Sequence, residues 1–131
     1  MATPTDRMKE LLASYFKAWQ ERDAELIASL FTLEGIYRVK PFGIEEYHGQ
    51  SEIKQYWLAN AGNARRGQPN PTMQDVAFGE NFCFLEWQNK FVSSNGTPVT
   101  TQGMMLLRFE DGRISELKEH FMTIADSDIR K

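Results

Sequence analysis

Beyond residue 71 the chain changes its hydrophobic period from helical spacing to strict alternation and never changes back, which constrains the fold more than any other feature. The switch follows AGNARRGQPNP, residues 61–71, a polar stretch rich in glycine, proline and asparagine that must be loop. The alternation predicts strands at about 72–78, 82–92, 97–109 and 113–123. The turns between them are GEN, SSNG and EDG; Asn95-Gly96 and Asp111-Gly112 carry hairpin chemistry, so the strands run antiparallel.

Ahead of the switch the reading is helical. Thr3, Pro4 and Asp6 form a capped start, and Met8, Leu11, Leu12, Tyr15 and Trp19 gather on one face. Asp23 caps a second helix whose apolar side is Leu26, Ile27, Leu30 and Phe31, ending by Gly35. GIYRVKPF, residues 35–42, reads as a short strand stopped by Pro41, and Ser51 caps a third helix carrying Ile53, Tyr56 and Trp57. Three helices followed by an antiparallel meander give an α+β domain in which the helices cover one face of a strongly curved, mostly antiparallel mixed sheet, a cone with a central pocket. With 131 residues, 1–131 is a single domain.

Composition narrows the function classes. No apolar run approaches the roughly 20 residues that span a bilayer, and MATPTDRMKELL lacks the basic and apolar regions of a secretory signal, so no membrane partner is expected. The single cysteine, Cys83, excludes an internal disulfide and fits a reducing cytoplasm. A net charge of −3, with Arg65-Arg66 the only adjacent basic pair, argues against nucleic acid. Two histidines 72 positions apart and a lone cysteine offer no metal-ligand spacing, and no glycine loop for a nucleotide exists. No metal or cofactor is expected.

The motifs YFKAWQERDAELIASLF, YHGQSEIKQYW and LLRFEDGRISELKEHF, in this order and spacing, resemble the nuclear-transport-factor-like cone fold in its SnoaL-like and ketosteroid-isomerase-like branch, over residues 7–123. The resemblance implies a small-molecule pocket and an activity drawn from isomerases, polyketide cyclases, dehydratases, epoxide hydrolases or proteins without chemistry. Ketosteroid isomerases use a tyrosine on the first helix, an aspartate base on the first strand and a protonated aspartate on a later strand. The resemblance places these at Tyr15, Lys40 and Met105. A lysine and a methionine cannot play the two aspartate roles, so a typical ketosteroid isomerase is not expected.

The same register turns Arg38, Lys40, Glu86, Gln88, Thr101, Gly103, Met105, Leu117, Glu119 and Phe121 inward, with Trp19 and Trp57 as further walls. Strand alternation then separates Glu119 from its neighbour His120, one inside and one outside. Hydrophobicity does not decide the face of residues 82–92: Cys83, Leu85, Trp87, Asn89 and Phe91 are as apolar as the alternate set. Both faces need cover, and the resemblance implies a homodimer that buries Trp87, Phe91, Met104, Leu106 and Met122 on the convex face. His48 is expected in an exposed loop, near the pocket mouth at most.

Three functions remain open. The first is binding of a small hydrophobic or amphipathic molecule. The second is a cofactor-independent isomerase, cyclase or dehydratase acting on a carbonyl or polyketide-like compound, with Tyr15, Lys40 and Glu119 catalytic. The third is a protein-interaction module whose cone is filled by its own side chains, the charged groups forming a structural ion-pair network. A pocket of about 300 Å³ or more supports the first two, and a packed interior supports the third.

Overall fold

The computed structural model describes residues 3–39, 45–61, 69–93 and 95–129. Helix α1, Pro4–Glu21, starts with the expected capping box: the Asp6 amide donates to Thr3 Oγ1 at 3.0 Å and the Thr3 amide to Asp6 Oδ2 at 3.1 Å. Arg22 ends it in the left-handed region. Helix α2, Ala24–Ser29, is capped by Asp23, whose carboxylate accepts from the Leu26 amide.

Strand β1, Phe31–Arg38, begins four residues earlier than the sequence pattern suggests. Leu30 and Phe31, read as helical from their spacing, are the helix end and the first strand residue. A bulge between Phe31 and Ile36 lets the strand pair with both neighbours, and Gly35 fits it because a Cβ there would lie 3.1 Å from the Ile114 carbonyl and the Phe31 ring. A three-residue strand, β2 (Glu46–His48), was too short to leave a period. Helix α3, Gly49–Ala61, begins two residues before Ser51, with Glu52 rather than Ser51 accepting from the His48 amide at 3.0 Å.

The remaining strands are β3 (Pro71–Phe78), β4 (Phe82–Val92), β5 (Pro98–Glu110) and β6 (Arg113–Ala125), the last followed by one 3-10 turn, Asp126–Asp128. The β5–β6 turn places Asp111 and Gly112 both at positive φ, the geometry its Asp-Gly pair anticipated. The six strands lie in the order β2-β1-β6-β5-β4-β3, parallel only between β1 and β6. Together with three helices on one side this is the α+β cone arrangement.

Face assignment departs from the expected register in two strands. On β4 the buried set is Cys83, Leu85, Trp87 and Asn89, so Glu86 and Gln88 point to the outer face and Trp87 does not belong to a convex dimer surface. Phe91 shares the parity of Trp87 and lies opposite Val99, again not with Met104 and Met122. On β1 Tyr37 and Val39 share the parity of the buried Phe31 and face inward, and Arg38 faces outward. Strands β5 and β6 follow the expected parity, with Met105, Leu117 and Glu119 buried and Met104, His120 and Met122 outside.

One contact sets the β4 face. Trp87 lies opposite Gly103, where an added Cβ would sit 2.7 Å from Trp87 Cζ2 and from the His120 carbonyl. Gly103→Ala must therefore push the indole or the sheet aside; we expect a loss of about 1–3 kcal/mol in chemical denaturation, together with altered tryptophan emission.

Candidate functional site

The inward residues of β1, β4, β5 and β6 meet α1 and α3 around a cavity lined by Trp19, Tyr37, Tyr56, Trp57, Trp87, Asn89, Thr101, Glu119 and Phe121. Its volume is about 40 Å³, far below the pocket expected from the sequence. Aromatic side chains take up the difference. Trp19 stands 4.9 Å from Trp87 and 5.7 Å from Trp57, centroid to centroid, and Tyr37 stands 5.2 Å from Tyr56. Phe121, at 42% exposure, and the half-buried Tyr56 and Trp57 mark the mouth.

Glu119 is the acid of this cavity. Strand β6 holds it opposite Met105, it is 4% exposed, and its Oε1 accepts a short hydrogen bond from the Tyr37 hydroxyl. Burial pushes its carboxyl up from 4.5 to about 7, against the Tyr37 hydrogen bond, which acts the other way. Burial, then the nearby Glu119 charge, drives the Tyr15 and Tyr37 phenols well above their usual range. No cation appears among the described residues that line the cavity.

The other expected site residues are dispersed. Trp19, Trp57 and Phe121 line the cavity. Tyr15 is fully buried behind it, its hydroxyl without a hydrogen-bond partner among the described residues, and does not line it. Met105 and Leu117 are core residues below the cavity. Arg38, expected inside, lies at the sheet edge between two acids: Nη1 pairs with Glu46 and Nε with Glu116 at 2.8 Å. Arg108 adds a 3.4 Å contact to Glu116 and His48 a 3.2 Å contact to Glu46, so this is a surface ion-pair network. Glu86 faces outward opposite Met104, and Gln88 Oε1 accepts from Gln74 Nε2 at 3.1 Å. Lys40 lies outside the described residues.

The pattern missed Tyr37, Tyr56, Trp87 and Asn89 as walls. A usable signal was present for Trp87: a glycine inside a strand, Gly103, marks close approach of something large. Two other features carry no chemistry. Cys83 is fully buried, which pushes its thiol up to about 12, and among the described residues no three His, Cys, Asp or Glu side chains could hold a metal. A larger cleft of about 210 Å³ lies beside the start of α1, but Arg7, Glu80, Glu110 and Asp111 on its rim are all exposed.

The raised pKa of Glu119 has a thermodynamic sign. Between about pH 4.5 and 7 the folded state holds the Glu119 proton that the unfolded chain gives up, so this group's contribution to stability falls as pH rises through that window and is flat above it. A shift of this size corresponds to about 3 kcal/mol at most. Thermal melts should show Glu119→Gln more stable than wild type at pH 8, with the difference shrinking toward pH 4.5. Tyr37→Phe, which removes the donor to the carboxylate, should move the Glu119 titration upward from about 7, read by carboxyl NMR.

A sequence profile described as a SnoaL-like domain matches residues 12–117. Among curated proteins none matches significantly. Solved structures similar to this chain include a protein of ketosteroid isomerase-like fold from Catenulispora acidiphila in complex with trimethylamine, at TM-score 0.74 and 17% identity over 85% of this chain and 84% of that one. A proposed polyketide cyclase from Xanthomonas campestris superposes at TM-score 0.72 and 13% identity, covering 89% and 91%. An epoxide hydrolase from M. tuberculosis gives TM-score 0.70 and 13% identity, covering 88% and 83%.

Proposed function

The chain belongs to the SnoaL-like domain family, and from that premise we propose that its cone binds one small amphipathic molecule, held by the aromatic walls and anchored by Glu119. The observation that carries this reading is a buried carboxyl that titrates near neutrality and faces a cavity without a cation among its described lining residues. A protein of the same fold bound to trimethylamine supports a small ligand. The volume limits the guest: about 40 Å³ accommodates roughly three waters, hence a molecule of a few heavy atoms unless the walls at the mouth move.

A second reading is a cofactor-independent isomerase, cyclase or dehydratase acting on a carbonyl compound. It is favoured by Glu119, since a general acid or base works best when it titrates near the operating pH. In that reading Glu119 moves the proton. Tyr15 would need to turn toward the cavity to stabilise an oxyanion. The filled-cone alternative draws its support from the small volume alone.

All three tryptophans of the chain line the cavity, so its intrinsic fluorescence reports on that space directly. Titration with small amines, alcohols and ketones should give a saturable change for at least one class, weakened tenfold or more in Glu119→Gln. A panel that leaves the emission unchanged throughout would establish the filled cone instead. Enzymatic function adds a further requirement: turnover must disappear in the same variant while it remains folded and at least as stable as wild type at pH 8.

We also propose that two copies pair through the outer sheet face, where Phe84, Met104 and Met122 are 40%, 44% and 70% exposed around the half-buried Leu106. Met104→Glu should convert a dimer to a monomer in analytical ultracentrifugation. A wild-type protein that sediments as a monomer at micromolar concentration would overturn the pairing.

A further inference from the structure

We propose that the molecule taken by this cavity is a small alkylammonium cation, enclosed by the aromatic walls and neutralised by Glu119. The inference rests on the binding reading above and names its ligand class. Six walls are aromatic: Trp19, Tyr37, Tyr56, Trp57, Trp87 and Phe121. Four neighbouring pairs meet edge to face, at 71° for Trp19 with Trp57 and with Trp87, 83° for Tyr37 with Trp57 and 88° for Tyr56 with Trp57, while Tyr37 with Tyr56 and Trp87 with Phe121 are tilted at 41° and 51°. Aromatic faces within about 6 Å attract a cation through their quadrupoles, most strongly when water is excluded.

The polar groups point the same way. Although Trp57 and Trp87 line the cavity, their Nε1 atoms expose no surface to it. Both rings therefore offer carbon and π surface rather than a hydrogen-bond donor. The Tyr37 hydroxyl is spent on Glu119, Thr101 Oγ1 shares a 2.7 Å hydrogen bond with Thr123, and Asn89 Oδ1 accepts from the Asn70 amide at 2.8 Å. A carbonyl ligand thus finds the Tyr37 hydroxyl engaged and the indole nitrogens averted, and an anion meets the charge of Glu119. Among the described residues, the titratable groups that interact with Glu119 are Tyr37 from β1 and Tyr15 from α1, with Tyr56 from α3 beside both tyrosines, none of them cationic. An ionised carboxylate so buried is costly until a positive charge arrives. A bound cation would stabilise the carboxylate and send its proton to solvent; the cation itself neither gains nor loses one.

The test is a fluorescence titration of the whole chain with the chloride salts of methylammonium through tetramethylammonium, each fully cationic at pH 7. Sodium chloride at equal ionic strength and tert-butanol, a neutral compound of similar shape, serve as controls. At least one ammonium should bind saturably and more tightly than tert-butanol. Its affinity should fall about tenfold per pH unit below the Glu119 titration, and calorimetry in two buffers of different protonation enthalpy should register proton release at pH 7. Glu119→Gln should lose tenfold or more in affinity together with the pH dependence. Phe121→Leu, at the exposed mouth, should weaken binding severalfold and keep that dependence. If Glu119→Gln fails to fold by circular dichroism, the wild-type pH profile and proton release decide the matter alone. Equal or tighter binding of tert-butanol, without proton release, overturns the cation while leaving a small-molecule pocket. Silence from every probe overturns both.

Discussion

Trp87 crossing Gly103 is the contact on which the interior depends. A side chain at residue 103 would collide with the indole, so the glycine makes room for the largest residue of β4 on the helix side of the sheet. Strand alternation then leaves no freedom: with Trp87 inside, Leu85 and Asn89 follow it, while Glu86 and Gln88 must face out. Through the β5–β6 register Gly103 pairs with Phe121 and Met105 with Glu119, so the same choice places the acid under the aromatic walls. One missing Cβ therefore fixes a face across three strands.

Most of the fold was legible because its signals are local. Alternation and Asn-Gly or Asp-Gly turns located β4, β5 and β6 to within two residues, and a capping box located the start of α1. Where the reading failed, the deciding interaction was distant in sequence. The Leu30–Phe31 pair has helical spacing, yet the chain becomes extended there because the Ile114 amide donates to the Leu30 carbonyl at 2.9 Å. Phe31, buried against Ile114, sets the parity of β1, and Tyr37 rather than Arg38 shares it and reaches the interior. Glu119 and His120 were separable by period alone, since a one-residue step in a strand changes sides. The Tyr37 donor was not, because 82 residues lie between it and Glu119.

A carboxyl in such a place works against the fold. Leucine or methionine at residue 119 would continue the apolar surface of Met105 and Leu117, and the single hydrogen bond from Tyr37 offsets only part of what an ionised glutamate loses by leaving water. The Arg38, Glu46 and Glu116 network shows the contrast: its charges remain partly solvated and directly paired, which suits a structural role. An acid that is buried, without a cation among the described residues around it, and turned toward space has the character of a group kept for what it does rather than for what it stabilises.

For the proposed binding role, the crowding of the cone bears on selectivity. A roomy apolar pocket distinguishes poorly between ligands that differ by a methyl group, because each methylene is worth only about 1–3 kcal/mol. A space of about 40 Å³ walled by indoles adds steric exclusion, since any larger guest must displace rings that already pack on one another. Charge then discriminates among the guests small enough to enter. In the proposed site an ionised Glu119 would reject anions, and the aromatic faces would reward a cation over a neutral molecule of equal size. Narrowness and the buried acid therefore act on different properties of the guest, one on its volume and the other on its charge, and neither needs a hydrogen bond from the indole nitrogens.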